Sequence, residues 1–268
     1  RIFGIENWKI MALIWAIVPI VNGITFTKVP IATLIEEGET GMTIRELCRN
    51  KTFWILMLMM LCAGASEQGV SQWASTFAEQ GLGVTKTIGD LAGPMAFAIL
   101  MGSSRAFYGK FGDRMDLDKF MIGSSILCII SYLCISLAPS AFVSLIGCSI
   151  CGFSVGIMWP GSFSKASMAL RRGGTSLFAL LALAGDVGCS GGPTLVGFVS
   201  GILSDNLKKG ILAGVIFPVF FAGGNSASGK EPECRLSCSA FLRRSEEKGL
   251  ESSCFSTVLK LITFRNSP

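Results

Sequence analysis

The sequence contains no histidine and few charged residues. Of its 268 residues, 15% are charged and 50% are hydrophobic. This scarcity of charge excludes an ordinary soluble domain. Without histidine a zinc site lacks its ligands, and the Cys148-Ser-Ile-Cys151 pair lies inside an apolar run with no second pair facing it. We therefore interpret these cysteines as packing residues and expect no metal site.

Two further absences narrow the function classes. No G-x-x-x-x-G-K-[ST] loop occurs in the sequence, which disfavours a self-contained ATP-driven pump. The formal net charge of +5 comes without an aromatic-interleaved basic patch, so we expect no nucleic-acid partner. The lysines and arginines cluster in alternate connecting loops, and by the positive-inside rule we assign those loops to the cytoplasm.

Seven apolar runs indicate an all-α membrane protein, a helical bundle whose surroundings are the lipid bilayer. A helix needs about twenty apolar residues to cross a hydrocarbon core of roughly 30 Å. The runs lie at residues 8–27, 53–77, 86–108, 119–138, 141–165, 175–203 and 211–222. The last run reaches only about 18 Å at 1.5 Å per residue. We predict that it is truncated or does not cross fully.

The runs divide the chain into four segments. These are a first span in 1–27, a charged linker in 28–52 that ends in a short amphipathic helix from Thr43, six spans in 53–222, and a polar tail in 223–268. The tail is rich in Gly, Ser, Cys, Arg and Glu, and it buries too little apolar surface to offset its ordering entropy. We predict that it is disordered or aberrant.

A charged loop between the third and fourth runs carries the pattern G-x-x-x-D-R at Gly109, Asp113 and Arg114. The glycine lets two helix ends approach each other. The acid can bind a helix N-terminus or an arginine and hold the cytoplasmic side shut. We interpret the three residues as a cytoplasmic gate motif.

The sixth run carries a second pattern, G-x-x-x-G-P, at Gly188, Gly192 and Pro193. Glycines allow close helix contact and proline adds a bend, so we interpret this as a helix-packing motif. Together, the linker, the charged loop and this helix resemble the major facilitator superfamily over roughly residues 8–222. The resemblance implies the C-terminal half of a transporter, helices six to twelve: the second six-helix half plus one preceding helix, with a missing N-terminal half as partner.

Polar side chains within the runs are candidate functional residues, because a carboxylate at the bilayer centre costs about 2.5–3.5 kcal/mol. The densest cluster follows Gly64 in the second run. Amides and carboxylates pair with hydroxyls, and an indole stacks on the apolar face of a sugar. We predict substrate contacts by Glu67, Gln68, Gln72, Trp73 and Trp159. An interhelical polar contact is the alternative for the cluster, and ordinary packing is the alternative for Trp159.

Two other acids lie within the runs. Asp186 in the sixth run is either a proton carrier or a structural partner of a Ser or Thr on a neighbouring helix. Asp90, close to the outer end of the third run, is expected to meet water or to cap a helix. We therefore predict ion coupling through Glu67 and Asp186, with a proton or sodium ion and no cofactor.

These features predict a secondary active transporter that moves a small polar solute by alternating access in the plasma or inner membrane. Glu67 with Trp73 also resembles the seventh-helix pair of sugar porters of the fucose-permease type, which implies a sugar or related metabolite. Peptides, drugs and organic anions remain open. A seven-span receptor and an intramembrane enzyme are the alternatives. The large linker and the charged loop disfavour the receptor, and Leu183 breaks the G-x-G-D pattern of an aspartyl membrane protease, so we expect no catalytic residue.

Overall fold

All regular structure in the described part of the chain is helical. The computed structural model describes residues 8–27, 41–82, 91–112, 115–204 and 206–228. The helices are α1 (Trp8–Phe26), α2 (Ile44–Arg49), α3 (Lys51–Ser71), α4 (Ala74–Leu82), α5 (Ala96–Phe111), α6 (Leu117–Leu137), α7 (Ala141–Val155), α8 (Met158–Ala169), α9 (Gly174–Ile202), α10 (Leu207–Ala213) and α11 (Ile216–Ser228). A π-helical turn at Leu91–Met95 precedes α5, and a 3-10 turn at Arg171–Gly173 precedes α9. Helix α1 belongs to one compact unit and α2 to α11 belong to a second.

Five helical segments within these ranges are long and apolar enough to cross a bilayer. They are Lys51–Glu79, Leu117–Leu137, Phe142–Ala169, Arg171–Ile202 and Leu207–Ser228, with a shorter apolar helix at Ala12–Phe26. Four of the five coincide closely with predicted runs. The run predicted at 86–108 begins outside the described residues and continues as the π-helical turn and α5. The protein is therefore an integral multi-pass membrane protein with the predicted all-α fold.

The last helix differs from its prediction. The apolar run at 211–222 predicted too short a span and a tail from residue 223, whereas the helical segment extends from Leu207 to Ser228 and is 22 residues long. Gly224 packs against Met59 of α3, and Asn225 is buried. Both residues look like tail by composition, but each has a tertiary partner that stabilises helix in place of coil. The rest of the predicted tail lies outside the described residues.

Local hydrogen bonds define the starts of two helices. Thr43 and Glu46 form a capping box before α2, in which the backbone N–H of Thr43 donates to Glu46 at 2.8 Å. This hydrogen bond, with that of the Thr43 hydroxyl, holds the pKa of Glu46 below its ordinary value. Asp116 caps α6 by accepting from the backbone N–H groups of Asp118 and Lys119 at 3.1 and 3.3 Å. The predicted amphipathic helix is thus α2, and residues 28–40 of the linker lie outside the described residues.

Helices α3 and α9 are in backbone contact along a seam of small residues, which we call the glycine seam: Gly64 on α3 with Gly185, Gly188 and Gly192 on α9. A Cβ atom at Gly188 would collide with the carbonyl oxygen of Leu61, and one at Gly192 would collide with that of Ala65. A Cβ atom at Gly64 would likewise collide with the carbonyl oxygen of Gly185. Only glycine permits this approach, and without a hydrophobic force between helices in lipid, close backbone packing is what holds them together.

Candidate functional site

An ion pair joins Glu67 of α3 to Arg105 of α5. The Arg105 Nη2 atom lies 3.6 Å from the Glu67 Oε2 atom, and the two side chains are 44% and 15% exposed. Glu67 Oε2 is buried without a hydrogen-bond partner among the described residues. The pair is therefore close enough for Coulombic attraction, but the carboxylate oxygen that faces Arg105 retains its capacity to accept a hydrogen bond.

Arg105 is anchored at its other end by a carbonyl that a proline has left free. Pro160 on α8 has no N–H group, so the carbonyl four residues earlier, that of Gly156, has no intrahelical donor from this position. Arg105 Nε donates to this carbonyl at 3.1 Å. A Cβ atom at Gly156 would lie only 2.9 Å from the carbonyl oxygen of Met101 on α5, so glycine there also allows α5 to come close. The break between α7 and α8 thus provides the carbonyl that holds Arg105 in place.

Glu67 is positioned by the glycine seam. Gly64 precedes it by nearly one turn, and a Cβ atom at Gly64 would lie 3.0 Å from the Cys189 Sγ atom of α9. The Cys189 thiol is within electrostatic reach of both Glu67 and Asp186. Asp186 itself is exposed, and its backbone carbonyl accepts from the Ser190 hydroxyl at 3.2 Å. Glu67 on α3 and Asp186 on α9, the acids predicted to couple an ion, therefore both lie near the Cys189 thiol.

The amides predicted to bind substrate bond to each other. Gln68 Oε1 accepts from the Ser71 hydroxyl at 3.2 Å and from Gln72 Nε2 at 3.4 Å. Gln68 is half-buried and Gln72 is exposed. Glu67 takes no part in this network among the described hydrogen bonds. The polar residues of α3 thus form two groups, an ion pair with α5 and a local amide cluster.

Trp73 lies in the helix contact and not beside Glu67. Its indole N–H donates to the carbonyl of Pro193 at 3.3 Å, and its ring covers Gly197, where a Cβ atom would lie 2.9 Å from the ring. Because α3 ends at Ser71 and a turn follows, Trp73 points toward α9. The ring that we predicted to stack on a solute packs against Gly197, and its N–H is bound by the neighbouring helix.

Trp159 covers the glycine seam from α8. A Cβ atom at Gly185 would lie 2.5 Å from its ring, and its ring centroid is 6.2 Å from that of Phe163. The indole N–H is buried without a hydrogen-bond partner among the described residues. Trp159 therefore keeps a free donor in the interior, next to the turn of α9 that carries Asp186.

The predicted gate motif is only partly described. Gly109 is an exposed residue of α5, whereas Asp113 and Arg114 lie outside the described residues, as does Asp90. In the second motif, Gly188 and Gly192 contact α3, and Pro193 supplies the carbonyl that Trp73 binds.

A second charged cluster, which sequence reasoning missed, ties α6, α8 and α11 together; we call it the Lys165 cluster. Lys165 is 5% exposed, pairs with Asp118 at 2.9 Å, and donates to the side-chain and backbone oxygens of Asn225 at 2.6 and 2.9 Å. Asn225 Nδ2 in turn donates to the carbonyl of Asp118 at 3.1 Å. Lys165 looked like a loop charge by position, and Asn225 like part of the tail.

Arg105 is the functional candidate that the sequence analysis missed, although a signal for it existed. It is a base within an apolar run, and intramembrane bases are as costly as acids. The second signal was Pro160, which marks Gly156 as an unsatisfied acceptor. Neither signal named the partner, because Arg105, Gly156 and Glu67 lie on separate helices.

Ionisable side chains paired between helices of a membrane-spanning bundle are candidate functional residues. The chain matches the family model of the Major Facilitator Superfamily over residues 2–193 and belongs to that family. Members of this family are transporters and not enzymes. The match therefore confirms that the chain belongs to a transporter and that it is not an enzyme. The matched range includes Glu67, Arg105 and Trp159. No curated protein and no solved structure matches the chain.

Proposed function

We propose that the chain is the C-terminal half of its transporter, with α1 as the sixth helix, α3 and α4 as the seventh, and α10 and α11 as the twelfth. It works against an N-terminal half by alternating access in the plasma or inner membrane. The order of segments supports this assignment: an apolar helix, then a charged linker that ends in α2, then the remaining spans.

The proposed cargo is a small polar solute, with a sugar or related metabolite as the first class to test. Gln72 is exposed and Gln68 is half-buried, so their amides can reach a solute. The buried indole N–H of Trp159 has no hydrogen-bond partner among the described residues, so it is an unused donor beside the glycine seam. Trp73 does not support this role, since its N–H is bound to Pro193.

Ion coupling is proposed at Glu67, with a proton or a sodium ion as the coupling ion. The observation that carries this proposal is the Glu67 carboxylate, which lies 3.6 Å from Arg105 and has an oxygen without a hydrogen-bond partner among the described residues. A carboxylate whose oxygens are all hydrogen-bonded has no free acceptor for a coupling ion. Glu67 keeps such an acceptor in Oε2. Asp186 remains the second candidate because it is exposed on α9 close to Cys189.

The test replaces Glu67 by glutamine in the complete transporter. We expect Glu67→Gln to abolish ion-driven accumulation of solute, because the amide has nearly the shape of the acid but cannot load an ion. Membrane insertion and the amount of protein should not change. Accumulation is measured in proteoliposomes with an imposed pH or sodium gradient.

Glu79→Gln is the matched control. Glu79 is a half-buried acid on α4, in the same membrane-spanning segment Lys51–Glu79, and its side chain contacts that of Ser75 at 3.5 Å. This variant should accumulate solute at the normal rate. Full gradient-driven uptake by Glu67→Gln would remove Glu67 from the mechanism.

A further inference from the structure

The Glu67–Arg105 pair is held from one side only. Arg105 is fixed by its 3.1 Å hydrogen bond to the Gly156 carbonyl, which Pro160 leaves without an intrahelical donor. Glu67 Oε2 stands 3.6 Å from Arg105 Nη2 and has no hydrogen-bond partner among the described residues. A ligand can therefore replace Glu67 at the guanidinium without disturbing the anchor of the arginine.

The open part of Arg105 suits a carboxylate. Its side chain is 44% exposed, about three times the 15% of Glu67, so the arginine is the more accessible partner of the pair. A guanidinium has five N–H donors in a planar fork, and the Gly156 carbonyl uses the one on Nε. A carboxylate accepts two parallel N–H groups at roughly 2.7–2.9 Å, a closer arrangement than the pair has now.

We infer that the solute carries a carboxylate that Arg105 binds in place of Glu67, and that Glu67 takes up one proton from water as the anion arrives. The inference rests on the proposed function and narrows its small polar solute to a polyhydroxylated carboxylate, the class of the sugar acids. The amides of Gln68 and Gln72 bind the hydroxyls of the solute, and Arg105 binds its carboxylate.

The proton follows from charge balance. Without solute, one positive and one negative side chain sum to zero. A carboxylate bound alone leaves one uncompensated negative charge within a membrane-spanning bundle, which is unfavourable. A proton on Glu67 restores the sum to zero. Anion and proton therefore enter together, one for one, and when the anion leaves, the proton returns to water and Glu67 pairs with Arg105 again.

The charged groups around Glu67 indicate that Glu67 is the group that takes up the proton. Among the described residues, its ion-pair partner is Arg105 of α5, and α9 contributes Cys189 with Asp186 beside it. Helices α7 and α11 carry no acidic or basic side chain. The one charged side chain of α8, Lys165, is engaged with Asp118 and Asn225.

The experiment measures equilibrium binding to the complete transporter in liposomes. The probes are three acids, D-glucuronate, D-gluconate and D-galacturonate, and their neutral parents, D-glucose for the first two and D-galactose for the third. We expect at least one acid to bind about tenfold more tightly than its neutral parent. Arg105→Gln should remove this preference, and Arg105→Lys should restore part of it as a point charge without the fork. Arg45→Gln, a change at an exposed arginine of α2, is the control.

Proton uptake separates this role from a structural one. In weakly buffered solution, binding of the acid to the unmodified protein should take up about one proton per anion. Glu67→Gln, which resembles the protonated acid, should bind the sugar acid at all pH values without taking up a proton. This variant keeps the test decisive even if Arg105→Gln fails to fold.

Three results would overturn the inference. Equal binding of acids and neutral sugars, unchanged in Arg105→Gln, removes the carboxylate and leaves the proposed function standing. Acid binding without proton uptake removes the role of Glu67 in charge balance. Failure of all three acids and of the neutral sugars to bind removes the inference together with the proposed solute class.

Discussion

The bundle contains two charged clusters, and they differ in how completely their charged groups are hydrogen-bonded. In the Lys165 cluster, an ammonium that is 5% exposed meets three oxygens at 2.6 to 2.9 Å. In the Glu67–Arg105 pair, the nearest opposite charges are 3.6 Å apart and the arginine is 44% exposed. A buried charge is tolerated when every partner is present, and such a network rigidifies the structure. The looser pair forgoes that stability, and this is what leaves it free to exchange partners.

The largest expected effect on stability comes from breaking the Lys165 cluster. Lys165→Met should lower the free energy of unfolding by about 2–4 kcal/mol, because it removes two hydrogen bonds from a buried ammonium and leaves the oxygens of buried Asn225 without their donor. Asp118 contributes less to this loss, since its side chain is 44% exposed and can meet water. The midpoint of unfolding in mixed detergent micelles reports the change. Lys119→Met is the control, since Lys119 is 79% exposed and pairs with Asp116 at only 3.6 Å.

Glu67→Gln in the same assay sharpens the comparison. Its effect on unfolding should be well below that of Lys165→Met, because the pair it breaks has no hydrogen bond through Oε2 and one partner is partly exposed. Equal losses of stability from the two variants would mean that both clusters are structural.

The next effect concerns the glycine seam that carries Glu67. Gly188→Ala should destabilise the protein by about 1–3 kcal/mol, since the new methyl group meets the Leu61 carbonyl and must push the helices apart. Gly191→Ala lies on the same helix, where a Cβ atom has nothing within 4 Å, and should be neutral or stabilise by up to about 1 kcal/mol. Thermal unfolding of the two variants gives the difference. Similar shifts would mean that the seam does not hold the helices together.

The smallest expected effect on stability is at the N-terminal cap of α6, beside Asp118 of the Lys165 cluster. The Lys119 backbone N–H, aided by the Lys119 charge and the Asp118 N–H, holds the pKa of Asp116 below its ordinary value. The stabilisation by the charged cap is thus present above the ordinary pKa, about 3.9, and is lost as pH falls through the lowered one. Asp116→Ala should cost about 0.5–2 kcal/mol at neutral pH.

The pH dependence of this cap is measured as the difference in melting temperature between the unmodified protein and Asp116→Ala. The difference should be largest at neutral pH and should shrink at about pH 3, below the ordinary pKa. Asp116→Asn caps the helix without titrating, so its difference from Asp116→Ala should change little with pH. A gap between the unmodified protein and Asp116→Ala that widens in acid would contradict the assignment.

The sequence predicted what depends on neighbours along the chain. Apolar runs located four of the five long spans, and the amphipathic pattern that begins at Thr43 predicted α2, because both signals are local. The pairs that build the site are not local: Glu67 meets Arg105, and Lys165 meets Asn225, only after distant helices pack. Composition misplaced the end of α11 for the same reason, since Asn225 is helical through a partner sixty residues away.

The glycine seam also has a consequence for how the protein is made. Helix α3 leaves the ribosome long before α9, so Glu67 is in the membrane before the surface that covers it exists. An intramembrane acid without partners inserts poorly, and α3 alone has no groove to receive it. Glu67 gains its charged partner when α5 supplies Arg105, and α3 gains its packing surface when α9 completes the glycine seam. We therefore expect α3 to remain beside the insertion machinery until both helices have been made.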